Sequence, residues 1–125
     1  MANILIAVTG SIASYKAADL VSSLKKQGHD VTVLMTKAAR EFIQPLTLQV
    51  LSQNPVHLDV MKEPYPDQVN HIELGKRTDL FIVVPATANT IAKLVHGFAD
   101  NMVTSTALAL PSHIPKLLAP AMNTK

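Results

Sequence analysis

Small residues, hydroxyls and one amide are gathered in Pro85-Ala86-Thr87-Ala88-Asn89-Thr90, between the apolar run Leu80-Phe81-Ile82-Val83-Val84 and the stretch Ile91-Ala92-Lys93-Leu94-Val95. The apolar run reads as a buried strand, and the later stretch has helical spacing. Pro85 cannot donate to a sheet ladder, so the strand is expected to end there. A strand that passes to a helix through such a loop leaves backbone N–H groups free at the helix start. These suit an anion or the polar edge of a ring. In open α/β sheets the carboxyl end of a strand is also where ligands bind. An ordinary βα turn capped by Thr or Asn has the same composition, so this loop alone does not separate a site from a connection.

Two earlier loops share the character. Thr9-Gly10-Ser11-Ile12 follows the apolar run Asn3-Ile4-Leu5-Ile6-Ala7-Val8, and Thr36-Lys37 follows Val31-Thr32-Val33-Leu34-Met35. The first resembles a phosphate-binding turn but holds one glycine, so the G-x-G-x-x-G dinucleotide fingerprint is absent. One glycine with hydroxyls suits a mononucleotide phosphate at least as well. A tight turn at Gly10 with Ser11 as a helix cap explains the same residues.

His71, in Asn70-His71-Ile72-Glu73-Leu74, precedes the strand at Leu80. Near a ligand-binding edge an imidazole can act as base or hydrogen-bond donor around neutral pH. His29, His57, His96 and His113 read as surface or capping residues, and Glu73 and Asp79 as solvated charges. No His or carboxylate pair has metal-ligand spacing, so no metal is expected. Ser105 lacks a G-x-S-x-G setting, and with no cysteine in the chain a thiol nucleophile, a thiolate metal site and a disulfide are all excluded within it.

The elements that must position these groups read β-α-β-α-irregular-β-α-α-β. Strands are expected over residues 3–9, 31–35, 80–84 and 116–119, the last stopped by Pro120. Helices are expected over 12–27, 37–42, 45–52, 90–95 and 101–110, with Gly28 just past the first and Pro45 in the first turn of the third. Residues 54–69, with Pro55, Pro64 and Pro66, read as irregular. Continuous apolar strands alternating with helices predict a three-layer α/β/α, doubly wound parallel sheet of Rossmann-like or flavodoxin-like type, in a single domain over 1–125. With 48% hydrophobic and 16% charged residues the chain is neither disordered nor built to coat nucleic acid, and its +2 formal charge forms no basic run. No run of 18 apolar residues suggests a membrane span. A cytoplasmic protein is the expectation. The low charge leaves much apolar surface to hide, and subunit contacts are one way to hide it.

Together, Thr9-Gly10-Ser11-Ile12-Ala13, Asn70-His71-Ile72-Glu73-Leu74, Pro85-Ala86-Thr87-Ala88-Asn89-Thr90, Gly97-Phe98-Ala99-Asp100-Asn101 and Pro120-Ala121-Met122-Asn123 resemble the motifs of the homo-oligomeric flavin-containing cysteine decarboxylases. The match runs in order along the whole chain. The Pro85–Thr90 loop and the Pro-x-Met-Asn ending are specific in combination, whereas the glycine turn alone is weak. The resemblance implies an FMN site, with Gly10, Ser11, Ile12 and Thr36 meeting the nucleotide. It puts Thr87, Ala88, Asn89 and Thr90 on the second side and Ala121 near the isoalloxazine. It makes His71 the active-site histidine and Asn123 the asparagine that holds the substrate carboxylate.

The resemblance also implies the chemistry. Loss of carbon dioxide from a cysteine carboxylate leaves an unstabilised carbanion unless an electron sink is made first. Flavin oxidation of the thiol carbon makes that sink, and an enethiol follows. The implied substrate is 4′-phosphopantothenoylcysteine, in coenzyme A biosynthesis. The implied assembly is a homotrimer, or a dodecamer of trimers, with no nucleic acid or membrane partner. A flavin prenyltransferase on the same fold, or a non-catalytic regulatory flavoprotein, are the alternatives. The family pattern continues past Pro-x-Met-Asn to a Met-Trp and then to a flap carrying a proton-donating cysteine. Here Asn123 is followed by Thr124 and Lys125, without Trp or Cys. The chain therefore reads as a form lacking its carboxyl-terminal substrate flap.

Overall fold

The apolar run near the amino terminus becomes the central strand. The computed structural model describes residues 1–58, 77–97 and 102–120. These contain β1 (Asn3–Val8), β2 (Asp30–Met35), β3 (Val56–Leu58), β4 (Leu80–Ala86) and β5 (Lys116–Pro120) in one sheet of order β3-β2-β1-β4-β5, with every neighbouring pair parallel. The helices are α1 (Tyr15–Lys26), α2 (Pro45–Ser52), α3 (Ala88–His96) and α4 (Met102–Ala109).

Alternation along the strands feeds two cores. Ile4, Ile6 and Val8 of β1 join Val31, Val33 and Met35 of β2, and Ile82 and Val84 of β4, against Ala17 and Val21 of α1 and Leu48 of α2. On the other face Leu5, Ala7, Leu34, Phe81 and Val83 pack with Val103 and Ala107 of α4, with Ile91 and Leu94 of α3 at the margin. A parallel strand covered on both faces needs apolar residues at successive positions, which is why β1 shows no polar alternation. Each fully buried side chain such as Leu5, Ile6 or Phe81 contributes about 1.5–3 kcal/mol through burial. The three-layer, doubly wound parallel sheet is the one expected.

Several boundaries differ from the sequence reading. β4 does not stop at Pro85 but runs on to Ala86. Val83 pairs with Leu118 and Ala86 with Pro120, so three steps on β4 match two on β5. This bulge accommodates a residue with no N–H to give to the ladder. The Val84–Pro85 peptide is cis. A short strand, β3, stands within the stretch read as irregular. It spans three residues on the sheet edge, too few to show a period. Asn54 holds its entry, its Nδ2 donating to Asp30 Oδ1 at 3.0 Å and to the Val31 carbonyl at 2.7 Å. The helix expected over 37–42 is a 3-10 turn, Ala38–Glu41, and a second 3-10 turn, Ile12–Ser14, precedes α1. Gly28, at φ +92°, and Pro45, at the start of α2, take the expected terminal positions.

Among the described residues β5 is the outermost strand on the β4 flank. Its Leu117 and Leu118 are 52% and 41% exposed.

α4 buries Thr106 completely, and Thr106 Oγ1 is a buried side-chain oxygen with no hydrogen-bond partner among the described residues. A buried hydroxyl without a partner keeps its desolvation cost. Thr106→Val, of nearly the same shape, is expected to raise stability by about 1 kcal/mol, read as a higher urea midpoint at unchanged slope. A midpoint equal to or below wild type would show that the hydroxyl is satisfied in the native protein.

Candidate functional site

From β1 the chain winds outward through β2 to β3, then returns to β4 on the opposite flank of β1. The order therefore reverses at β1, and the loops leaving β1 and β4 diverge at their carboxyl ends. Open α/β sheets bind ligands in this crevice. The loops that sequence reading selected after β1 and β4 are the two that form it.

On the β1 side, Ser11 is extended (φ −164°, ψ 158°), and its Oγ accepts from the Ala13 N–H at 2.9 Å. The Ser11 N–H donates in turn to Ser14 Oγ at 3.3 Å, a reciprocal capping box. Ser14 is wholly buried. Its hydroxyl hydrogen lies within reach of the Ser11 carbonyl at 2.7 Å and the Thr9 carbonyl at 3.0 Å. The Ser11 hydroxyl hydrogen and the Ile12 N–H take no part in this set. Ile12 is 84% exposed, an apolar side chain in solvent at the crevice. Gly10 answers to a close approach: a Cβ there would stand 2.6 Å from Ala38 Cβ and 3.0 Å from the Ala38 carbonyl carbon. This turn is thereby seated on the turn that follows β2.

Thr36 braces that neighbouring turn. Its N–H donates to the Val8 carbonyl at 3.0 Å. Its buried Oγ1 accepts from the Ala39 N–H at 3.2 Å.

On the β4 side the connection is a single residue. Thr87 caps α3, its Oγ1 accepting from the Thr90 N–H at 3.2 Å and donating to Thr90 Oγ1 at 3.0 Å. Thr90 is buried, while Ala88 and Asn89 are exposed in the first turn. Thr9 joins the two sides. It is 1% exposed, and its Oγ1 donates to the Pro85 carbonyl and accepts from the Thr87 N–H at 3.3 Å.

The structure thus gathers Gly10, Ser11, Ile12, Thr87, Ala88, Asn89 and Thr90 on the loops flanking one crevice, with Thr36 just past the end of the adjacent strand β2. His71, Ala121 and Asn123 lie outside the described residues. Sequence reasoning missed the parts played by Thr9, Ser14 and Ala38. The Ser11-x-x-Ser14 spacing is a readable cap signal, whereas the Gly10–Ala38 approach has no local one. Among the described residues no group of three His, Cys, Asp or Glu could hold a metal ion. A polar cavity of about 410 Å³, lined by Asn3, Asp30, Asn54, His57 and Arg77 among others, lies toward the amino ends of the strands, away from this crevice.

The Flavoprotein family model matches residues 1–125. The chain belongs to the flavoprotein family. A probable phosphopantothenoylcysteine decarboxylase of Streptococcus mutans is 66% identical over 122 residues, covering 98% of this chain and 68% of the relative. The coenzyme A biosynthesis bifunctional protein CoaBC of Bacillus subtilis is 48% identical over 121 residues, or 97% of this flavoprotein chain, which spans only 29% of that relative's length. Among solved structures, the FMN-dependent cysteine decarboxylase TvaF from thioviridamide biosynthesis superposes with a TM-score of 0.86 at 27% identity, covering 99% of this chain and 75% of that one. A mutant of PPC decarboxylase complexed with pantothenoylaminoethenethiol superposes at 0.81 with 29% identity, over 98% of this chain and 68% of that one.

The contact between Gly10 and Ala38 sets a test in this flavoprotein. Gly10→Ala forces the two turns apart and is expected to cost about 1–3 kcal/mol, measured by denaturant unfolding. Adding Ala38→Gly removes the nearer clash, at 2.6 Å, and is expected to restore part of the loss. A double variant no more stable than Gly10→Ala would place the need for glycine elsewhere.

Proposed function

We propose that this chain is the FMN-binding domain of a carboxy-lyase that converts 4′-phosphopantothenoylcysteine to 4′-phosphopantetheine, in the cytoplasmic synthesis of coenzyme A. The observation that carries the reading is 66% identity, over 98% of the chain, to a probable phosphopantothenoylcysteine decarboxylase. The enethiol ligand of the PPC decarboxylase mutant agrees with decarboxylation as the step that follows oxidation.

The described residues fit a flavin mononucleotide. Gly10, whose Cβ would meet Ala38, seats the phosphate-side turn on its neighbour, Ser11 keeps its side chain short there, and the capped turn offers the Ser11 hydroxyl hydrogen and the Ile12 N–H as donors. Across the crevice the first turn of α3 supplies Ala88, which is small, and Asn89, whose exposed amide can donate and accept. Ile12 offers an apolar contact to a ring. Thr36 sets the turn on which Gly10 rests. In the same reading Ala121 stands near the isoalloxazine. FMN, when bound, supplies the two-electron oxidation that gives the cysteine-derived carboxylate its electron sink.

His71 sits by the substrate thiol as hydrogen-bond partner and proton acceptor. Asn123 binds the departing carboxylate. An amide donates to that carboxylate without holding it as a cation would, so release as neutral carbon dioxide meets no strong ion pair. In the flavin-loaded protein, His71→Asn is expected to retain FMN and lose carbon dioxide release from phosphopantothenoylcysteine. Asn123→Asp sets like charges against each other and is expected to weaken the substrate complex by on the order of a few kcal/mol. Wild-type turnover in either variant would remove that residue from the mechanism. A purified wild-type protein without a flavin spectrum would overturn the cofactor.

The assembly in this reading is a homotrimer, alone or within a dodecamer. Leu46 and Val50, four residues apart on α2, are 62% and 65% exposed, and Phe42, before the helix, is 46% exposed. Exposed apolar side chains of this kind on a low-charge chain suit a subunit contact. Light scattering is expected to give a trimer mass or a multiple of it. A monomer at micromolar concentration would reject the assembly.

A further inference from the structure

We infer that Thr9 is a positioning residue for the cofactor, setting the gap between the two walls of the flavin crevice; this rests on the FMN reading above. The β1–β4 pairing runs from Ile4 with Leu80 to Ala7 with Val83. Beyond that register β4 bulges, and Pro85 brings no N–H. The loops therefore leave the sheet where backbone pairing between them has ended, and the Thr9 side chain takes over the connection. Its Oγ1 gives its hydrogen to the Pro85 carbonyl and receives the Thr87 N–H at 3.3 Å, spanning 76 and 78 residues of sequence.

Both partners belong to the β4 wall. Pro85 precedes the cap, and Thr87 is the cap itself, bonded through its own hydroxyl to Thr90. The Thr9 carbonyl meanwhile lies 3.0 Å from Ser14 Oγ, sharing the reach of its one hydrogen with the Ser11 carbonyl, within the box that shapes the Ser11 turn. One residue thus holds the phosphate-side turn by its backbone and the opposite wall by its side chain. A β-branched side chain has little χ1 freedom, so this tie is stiff. Thr9 is 1% exposed and belongs to the scaffold behind the crevice. Valine would fill the same volume, so a pure packing role has no use for the hydroxyl.

The test compares FMN dissociation constants, by flavin fluorescence, of the wild-type protein, Thr9→Val and Thr9→Ser. Thr9→Val keeps the shape and leaves the Pro85 carbonyl and Thr87 N–H unpaired, and it is expected to weaken FMN binding roughly tenfold. Thr9→Ser keeps the hydroxyl and is expected to stay within about twofold of wild type. A Thr9→Val constant equal to wild type, or an equal loss in Thr9→Ser, overturns the role of the hydroxyl while leaving FMN as the cofactor. A wild-type protein that binds no FMN overturns both. Amide exchange at Thr87 in the flavin-free wild-type protein gives a second measurement that needs no variant to fold. Protection is expected, and exchange at the rate of an open loop rejects the tie.

Discussion

The structure depends on one constraint: β1 must be buried on both faces. Its run from Ile4 to Val8 has no polar side on which to meet water, so strands must flank it and helices must cover both surfaces. Parallel neighbours reached through right-handed crossovers satisfy this only if the chain first winds to one flank and then returns to the other. The reversal at β1 follows, and with it the divergence of the β1 and β4 loops. The crevice is thus a by-product of burying one strand.

At the mouth of that crevice hydroxyl groups take over the work of the sheet ladder. Ser11 and Ser14 close one turn, Thr36 braces the turn beside it, Thr87 and Thr90 close the third, and Thr9 ties the first to the third. Short side chains make these bonds close to the main chain and leave space in front of it. The same economy explains Gly10, where even a methyl group would collide with Ala38. Short hydroxyl side chains, buried or half-buried, keep the walls of this crevice rigid and thin.

The layers, the parallel sheet and the three candidate loops at strand ends were legible because each rests on a local signal: an apolar run, a helical period, or small polar residues at a strand end. β3 was not, since three residues show no period and its pairing depends on Asn54 reaching back to β2. The end of β4 was misplaced because a proline tolerated at a bulge looks in sequence like a proline that stops a strand. Of the candidate site, seven named residues lie on the two loops flanking the crevice, with Thr36 just past the end of the neighbouring strand. Thr9 stood inside the quoted loop, yet its task depends on Pro85 and Thr87, more than 70 residues away. Such a long-range partner leaves no mark in the local pattern. His71, Ala121 and Asn123, expected only through the family's motifs, lie outside the described residues.

β5 carries a different consequence, for solubility. Among the described residues no strand pairs with its outer side, where the main chain offers donors and acceptors to an extended segment, and Leu117 and Leu118 there are about half exposed. Beside it an apolar groove of about 240 Å³, lined by Phe81, Leu94, Ala107, Leu108 and Leu118 with Lys116 at its margin, invites the same visitor. What restrains stacking is the strand's own ends. Lys116 places a charge at its start, and Pro120 withholds a donor at its close. Between these two gatekeepers the adhesive stretch is reduced to Leu117, Leu118 and Ala119, shorter than the six or seven residues that sustain cross-β growth.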